Sequence, residues 1–380
     1  MRILTLSNSL LGESSGSGYV VHGYAEGLRA RGHSVDLLGP PDFEPFHELS
    51  RGIRYRQILG MAGTAAWRMA RGGYDLVELY GAEAWLACLA LTSVPRRRYI
   101  VVAHSNGLEP HCSEILARAV AAGWLRDERR WYQADLSRAF ALGFRASDAL
   151  VTVSEFDREY GLRAGYAHGR ILALENPLPD GYLGRAIAAP RERTIGFVGA
   201  WLPRKGIELI ARDVPTILRE FPDWRFTLVG VGPEFQPAGH FPADVLPRID
   251  VVPAADRSGQ LTSLYERFAI VVLPSLYESF GLVASEAMAC GAALVATPVG
   301  FAHALRDGVE ALLLPEPVSP ALAVALRRLV ADAVLRRSLA GAGHKRVQRL
   351  RWPHAVEALE AAYLGWLREH RDARARRGAA

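Results

Sequence analysis

The run from Phe268 to Leu273, Phe-Ala-Ile-Val-Val-Leu, constrains this chain more than any other feature. It has no polar alternation and is β-branched at its centre, which fits a strand buried on both faces of a parallel sheet. Pro274-Ser275 ends it, a loop continues to Gly281, and Leu282 to Ala289 reads as a short helix with Gly291 at the C-terminal cap position. Parallel strands must be joined by crossovers, so the chain has to be α/β.

The rest of the sequence repeats that alternation in two halves. Strands are predicted at Arg2–Ser7, Ser34–Leu38, Leu76–Leu79, Tyr99–Ala103 and Ala149–Val153, with a helix from Tyr19 to Arg31. A connector containing Pro and Gly spans Leu178 to Arg193. Beyond it come strands at Thr194–Gly199, Arg225–Val229, Ile249–Val252, Ile270–Leu273 and Ala293–Ala296. A helix from Gly206 to Glu220 carries Pro215, which predicts a kink or early break. Two final helices are expected, from Pro320 to Arg349 and from Pro353 to Arg368. The predicted division is a Rossmann-like domain over 1–185, a second over 186–352, and a terminal helix over 353–380.

At 380 residues and 50% hydrophobic content the chain can bury two ordinary cores. Cys88, Cys112 and Cys290 are widely spaced and lack any metal-ligand pattern, so neither disulfides nor zinc is expected. The first apolar run stops at Ser7-Asn8-Ser9, too short for a signal peptide core, and no stretch is long enough to span a bilayer. A cytoplasmic location is expected. The net charge of +5 comes without a zinc-finger, RRM or KH signature, so nucleic acid is not an expected partner. Trp124, Arg126, Arg129, Arg130, Trp131 and Tyr132 mix basic and aromatic residues, which suits either a packing helix or peripheral contact with an anionic membrane.

Ligands of open parallel sheets bind beyond the carboxyl ends of the strands, where helix N-termini direct free N–H groups. Amides near Phe280, Gly281 and Leu282 are thus placed to hold a phosphate. Glu286, about one turn into the helix, and Glu278, on the loop, flank that position. Lys205 follows the strand ending at Gly199, beside Arg204, and two cations there can neutralise a diphosphate. The Lys205-Gly206 pair is not a Walker A loop, which needs Ser or Thr after the lysine. Gly12, Gly16 and Gly18 form a glycine-rich first loop whose spacing is not the dinucleotide fingerprint, so a dehydrogenase is disfavoured.

The segment Glu278-Ser279-Phe280-Gly281-Leu282 with Glu286, followed by Ala287-Met288-Ala289-Cys290-Gly291, resembles the signature of retaining GT-B glycosyltransferases of family 4. That resemblance implies two Rossmann-like domains facing an interdomain cleft, with the helix after Trp352-Pro353 crossing back to the first domain. It implies that Glu286 binds the ribose and Glu278 the donor sugar, with Ser279 in the same wall. It places Gly16 and Gly18 under the donor phosphates and Gly199, Arg204 and Lys205 beside them. It sets His104 against the donor sugar, with Asn106 and Gly107 shaping that edge. Glu109 and His111 would face the acceptor, although an ordinary polar loop also accounts for them. The base site falls near Pro253, Ala254 and Ala255, mostly through backbone atoms. A UDP-sugar is favoured as donor, GDP-mannose next, and the acceptor is a small molecule, a lipid-linked molecule or a glycan. No cofactor is expected beyond that donor.

The chain departs from the family pattern at Ala200, where relatives often carry arginine, and at Gly300-Phe301-Ala302-His303, which lacks a second glycine and an acid. Arg204 is the expected substitute for the first, and Phe301 is expected to narrow the pocket. No Asp-x-Asp occurs, so a metal-independent reaction is expected. The leaving phosphate would take the acceptor's proton, and Glu278 as covalent nucleophile is less favoured. A nucleotide-sugar epimerase and a catalytically silent nucleotide-sugar-binding subunit are the competing readings.

Overall fold

A computed structural model describes residues 1–12, 16–44, 46–126, 134–187, 191–255 and 259–378. The chain divides into two compact units, one of Met1–Glu114, Glu128–Pro177 and Trp352–Ala380, the other of Ile115–Asp127 and Leu178–Arg351. Each is built on a six-stranded parallel sheet, and the two sheets differ in winding order.

In the first unit the strands are β1 (Arg2–Ser7), β2 (Ser34–Leu38), β3 (Leu76–Tyr80), β4 (Ile100–Ser105), β5 (Ala149–Thr152) and β6 (Ile171–Ala173). They are ordered β2-β1-β3-β4-β5-β6. The order reverses direction between β1 and β3, whose register runs from Ile3 opposite Leu76 to Ser7 opposite Tyr80. Two apolar layers cover the sheet. One gathers Leu4, Leu6, Leu79 and Phe144, the other Ile3, Leu28, Val102 and Leu359.

The second unit contains β7 (Thr194–Val198), β8 (Arg225–Val229), β9 (Ile249–Val252), β10 (Ile270–Leu273), β11 (Ala293–Ala296) and β12 (Leu312–Leu313). Their order is β12-β11-β10-β7-β8-β9, the doubly wound Rossmann arrangement with its switch point between β7 and β10. Every residue of β10 is buried, as an apolar run without alternation requires.

Three expectations change. The helix Ile207–Glu220 runs through Pro215 without a break, because Leu209, Ile210, Val214, Ile217 and Leu218 are all buried and outweigh the lost hydrogen bond. The long helix expected from Pro320 is two helices, Ala321–Ala331 and Ala333–Val347. Asp332 divides them by accepting hydrogen bonds from the amides of Val334 and Leu335, a side-chain cap that starts a new helix. A helix at Ile53–Gly72 has no counterpart among the predicted elements.

The last helix, Trp352–Gly378, belongs to the first unit and packs on the helix Gly16–Ala30. Gly23 and Gly27, about one turn apart, open a groove for it. A Cβ on Gly23 would lie 2.1 Å from the Trp352 ring, and one on Gly27 2.4 Å from Val356. Trp352 also donates its indole N–H to the Tyr19 hydroxyl at 2.8 Å.

Candidate functional site

The β7–β10 switch point brings together the residues that follow those two strands. Lys205 lies after β7 and Glu278 after β10, and their Nζ and Oε1 atoms are 2.5 Å apart with both side chains largely buried. Ser275 donates its hydroxyl to the same carboxylate oxygen at 2.7 Å, so Glu278 is held from two sides. The loops are locked by backbone as well. The Leu276 N–H donates to the Arg204 carbonyl at 2.8 Å. Gly206 adopts φ +72, and a Cβ there would lie 2.0 Å from the Pro274 carbonyl oxygen, so only glycine lets these loops meet. The Arg204 guanidinium is partly exposed and has no carboxylate partner among the described residues.

Gly281, at φ +85, caps the helix Leu282–Ala289 and turns its N-terminus toward the same loop. Ser279, Gly281 and Leu282 are partly exposed on this rim, whereas Phe280 is buried beneath it. Glu286 is 1% exposed, and one carboxylate oxygen accepts the Tyr265 hydroxyl at 3.0 Å. Burial and the neighbouring Glu286 charge push the Tyr265 hydroxyl well above its ordinary range, so it remains a proton donor. Gly199, at φ +138, has open space where a Cβ would be, and its amide is tied to the Val229 carbonyl. Pro253 and Ala254 are exposed and Ala255 partly so, just beyond β9.

Phe301 does not line an open pocket. It is 1% exposed, with its ring 5.3 Å from that of Phe280 and the Arg346 guanidinium 5.0 Å from its centroid. Its amide donates to the Phe280 carbonyl at 2.7 Å, which fastens the loop carrying Gly281 from below. The ring occupies the core under the loop, where its size supports the turn.

Other predicted residues belong to the first unit. Gly16 and Gly18 open the helix Gly16–Ala30, and Ser17 there accepts the Ser9 hydroxyl at 3.0 Å. His104 lies within β4 instead of following it, is 3% exposed, and stacks its ring on Tyr80 with centroids 4.1 Å apart. Its Nε2 is 2.7 Å from the Tyr363 hydroxyl, and burial holds the imidazole down to about 3, hence neutral at physiological pH. Glu109 is pushed up to about 8 by burial and then by Glu83. His111 pairs with Asp157 at 2.8 Å. Asn8, after β1, donates to Glu83, after β3, at 2.8 Å, which fills the first unit's own switch point.

The basic and aromatic segment starts beyond a helix. Gly123, at φ +74, follows the helix Glu109–Ala121, so Trp124 and Arg126 are not on it. Arg129, Arg130, Trp131 and Tyr132 lie outside the described residues.

Sequence reasoning misses Ser275, Tyr265, Glu78 and Tyr363. Ser275 carries a signal, being a small polar residue at the end of a buried strand. The other three act through contacts across 21 to 285 positions, which no local pattern announces.

Residues 192–332 match the model for glycosyl transferases group 1, and residues 14–180 match that for glycosyltransferase family 4. A phosphatidyl-myo-inositol mannosyltransferase of Mycobacterium leprae is 31% identical over 363 residues, covering 89% of this chain and 90% of the relative. A D-inositol 3-phosphate glycosyltransferase of Actinosynnema mirum is 27% identical, with 93% and 92% covered. Among solved structures, sucrose-phosphate synthase from Thermosynechococcus elongatus superposes with a TM-score of 0.76 at 20% identity, covering 96% of this chain and 98% of that one. That last likeness shows the GT-B fold.

Proposed function

The chain belongs to the family 4, group 1 glycosyltransferases, and on that premise we propose that it moves a sugar from a nucleoside diphosphate to an acceptor hydroxyl with retention at the anomeric carbon. The observation that carries this reading is the Lys205–Glu278 pair at the β7–β10 switch point, beside the N-terminus capped by Gly281. As the bond from the anomeric carbon to the diphosphate breaks, negative charge grows on the leaving oxygen. Lys205, Arg204 and the amides around Gly281 and Leu282 supply the compensating positive potential. The new bond forms to the acceptor oxygen, and its proton passes to the departing diphosphate. Glu278 orients the donor sugar, and Glu286 the ribose.

No metal enters this scheme, and among the described residues no cluster of His, Cys, Asp or Glu is arranged to hold one. Activity retained in EDTA tests that point. The mannosyl transfer in the name of the Mycobacterium leprae relative puts GDP-mannose beside the UDP-sugars in a donor screen. The decisive experiment incubates the protein with each donor and candidate acceptors and reads the anomeric configuration of the product by NMR. A changed nucleotide sugar released without acceptor would make it an epimerase, and binding without turnover would make it a silent subunit.

A peripheral membrane role has support from the helix Ile53–Gly72. It contains no acidic residue, and Tyr55, Leu59 and Trp67 are each more than half exposed. Arg68 and Arg71 lie over the Trp67 ring. An apolar face with aromatic and basic residues suits the interface of an anionic bilayer. No helix among the described residues is long and apolar enough to cross a membrane. Co-sedimentation with phosphatidylglycerol vesicles, lost in Leu59→Glu/Trp67→Glu and weak on phosphatidylcholine alone, is the expected result.

A further inference from the structure

A buried polar chain around β3 links the two ends of the first unit's sequence. Glu78 on β3 is 1% exposed and makes no ion pair with Lys or Arg among the described residues. One of its carboxylate oxygens accepts the Thr5 hydroxyl from β1, and the other accepts the Tyr363 hydroxyl from the helix Trp352–Gly378. Burial pushes the Glu78 carboxyl above its ordinary range, and the two hydroxyl donors pull it back. His104 Nε2 contacts that same Tyr363 hydroxyl at 2.7 Å.

A tyrosine hydroxyl has one proton. With Glu78 ionised, Tyr363 gives it to the carboxylate, so its oxygen can only accept from His104 and the imidazole carries its proton on Nε2. Nδ1 is then a bare acceptor. Among the described residues Nδ1 has no hydrogen-bond partner, so this lone pair remains available. We propose that Tyr363 is a positioning residue that fixes His104 as the Nε2–H tautomer, presenting Nδ1 to accept a hydrogen bond from a hydroxyl of the transferred sugar. The second half of this inference rests on the glycosyltransferase reading above; the first half rests on the geometry with Glu78 as a carboxylate.

The orientation has a clear alternative chemistry. A protonated Glu78 would donate to the Tyr363 oxygen, turn the tyrosine proton toward Nε2, and leave Nδ1 as a donor. The carboxylate form is the one in which both hydroxyls, Thr5 and Tyr363, donate. Glu78→Gln offers a permanent N–H in place of one carboxylate oxygen and so mimics the alternative.

Long-range proton–nitrogen NMR correlation at neutral pH, with His104→Asn used to assign the signal, reads the tautomer directly. Wild type is expected to show Nε2–H. Tyr363→Phe is expected to relax toward a mixture, and Glu78→Gln toward Nδ1–H. In steady-state assays Tyr363→Phe should raise the donor KM about tenfold, equivalent to about 1.4 kcal/mol, with the acceptor KM unmoved. Asparagine at 104 supplies an oxygen acceptor that has no tautomers, so Tyr363→Phe should add nothing to the donor KM in the His104→Asn background. An Nδ1–H signal in wild type, or additive effects in the double variant, overturns the proposal. Failure to detect transfer with any donor would instead defeat the glycosyltransferase reading and the sugar contact with it, while the NMR result still decides the tautomer.

Discussion

The two switch points of this protein are built from different chemistry. In the second unit, β7 and β10 deliver a lysine, a helix N-terminus and an arginine that has no carboxylate partner among the described residues, all around a single glutamate. In the first, β1 and β3 deliver an asparagine and a carboxylate, Asn8 and Glu83, with Arg54 3.5 Å from Glu83 and the raised carboxyl of Glu109 nearby. One edge holds more cations than carboxylates; the other balances Glu83 against Arg54 and keeps Glu109 protonated at neutral pH. Similar architecture therefore leaves the choice of ligand to the residues that follow each strand.

The largest test of that contrast is Lys205→Ala. Removing a donor aimed at developing charge should lower kcat by about a hundredfold to a thousandfold, measured with the best donor from the screen. Glu83→Ala, at the other switch point, should leave the affinity for the free nucleoside diphosphate unchanged in calorimetry. Next comes Gly206→Ala, which combines a left-handed backbone with a Cβ against the Pro274 carbonyl. A stability loss of about 1–3 kcal/mol is expected from the backbone conformation alone, read by urea unfolding.

Titration probes the first unit. Glu109 holds its proton up to about 8 in the folded state, whereas the unfolded chain releases it near the ordinary glutamate value. Between those limits the native state binds more protons than the unfolded one, so stability falls as pH rises, by up to about 1.4 kcal/mol per pH unit. Glu109→Gln should flatten that slope in denaturation curves between about pH 4.5 and 8. Arg204→Gln should have a smaller effect than Lys205→Ala. Its side chain is partly exposed, and a donor KM raised by about fivefold is expected, less at high salt.

The contrast also shows what a sequence can announce. β10 is legible because Phe268 to Leu273 is unbroken by polar residues, and the Gly281 turn because its glycine stands between a loop and a helix. The frame of the site follows from those two facts and the parallel-sheet rule. The helix Ile53–Gly72 is not legible, since it carries apolar residues on its exposed face as well as its buried one and so lacks a clean period. Asp332 reads as an ordinary surface acid, and only the folded chain gives its carboxylate two amides to accept. Phe301 misleads because a large residue near a site suggests a pocket wall, whereas its burial against Phe280 is a tertiary fact.

The groove made by Gly23 and Gly27 stays unfilled until the strands of the second unit have been synthesised. Ribosomes release a chain from its first residue onward, and domains ordinarily fold in that order. Here the first unit waits. Its Trp352 and Val356 plugs, and the Tyr363 hydroxyl that meets Glu78, are synthesised only after the strands of the second unit have emerged. The second unit's sheet is continuous in sequence and can close before that helix is made, so the unit whose strands come first has to wait for its last helix.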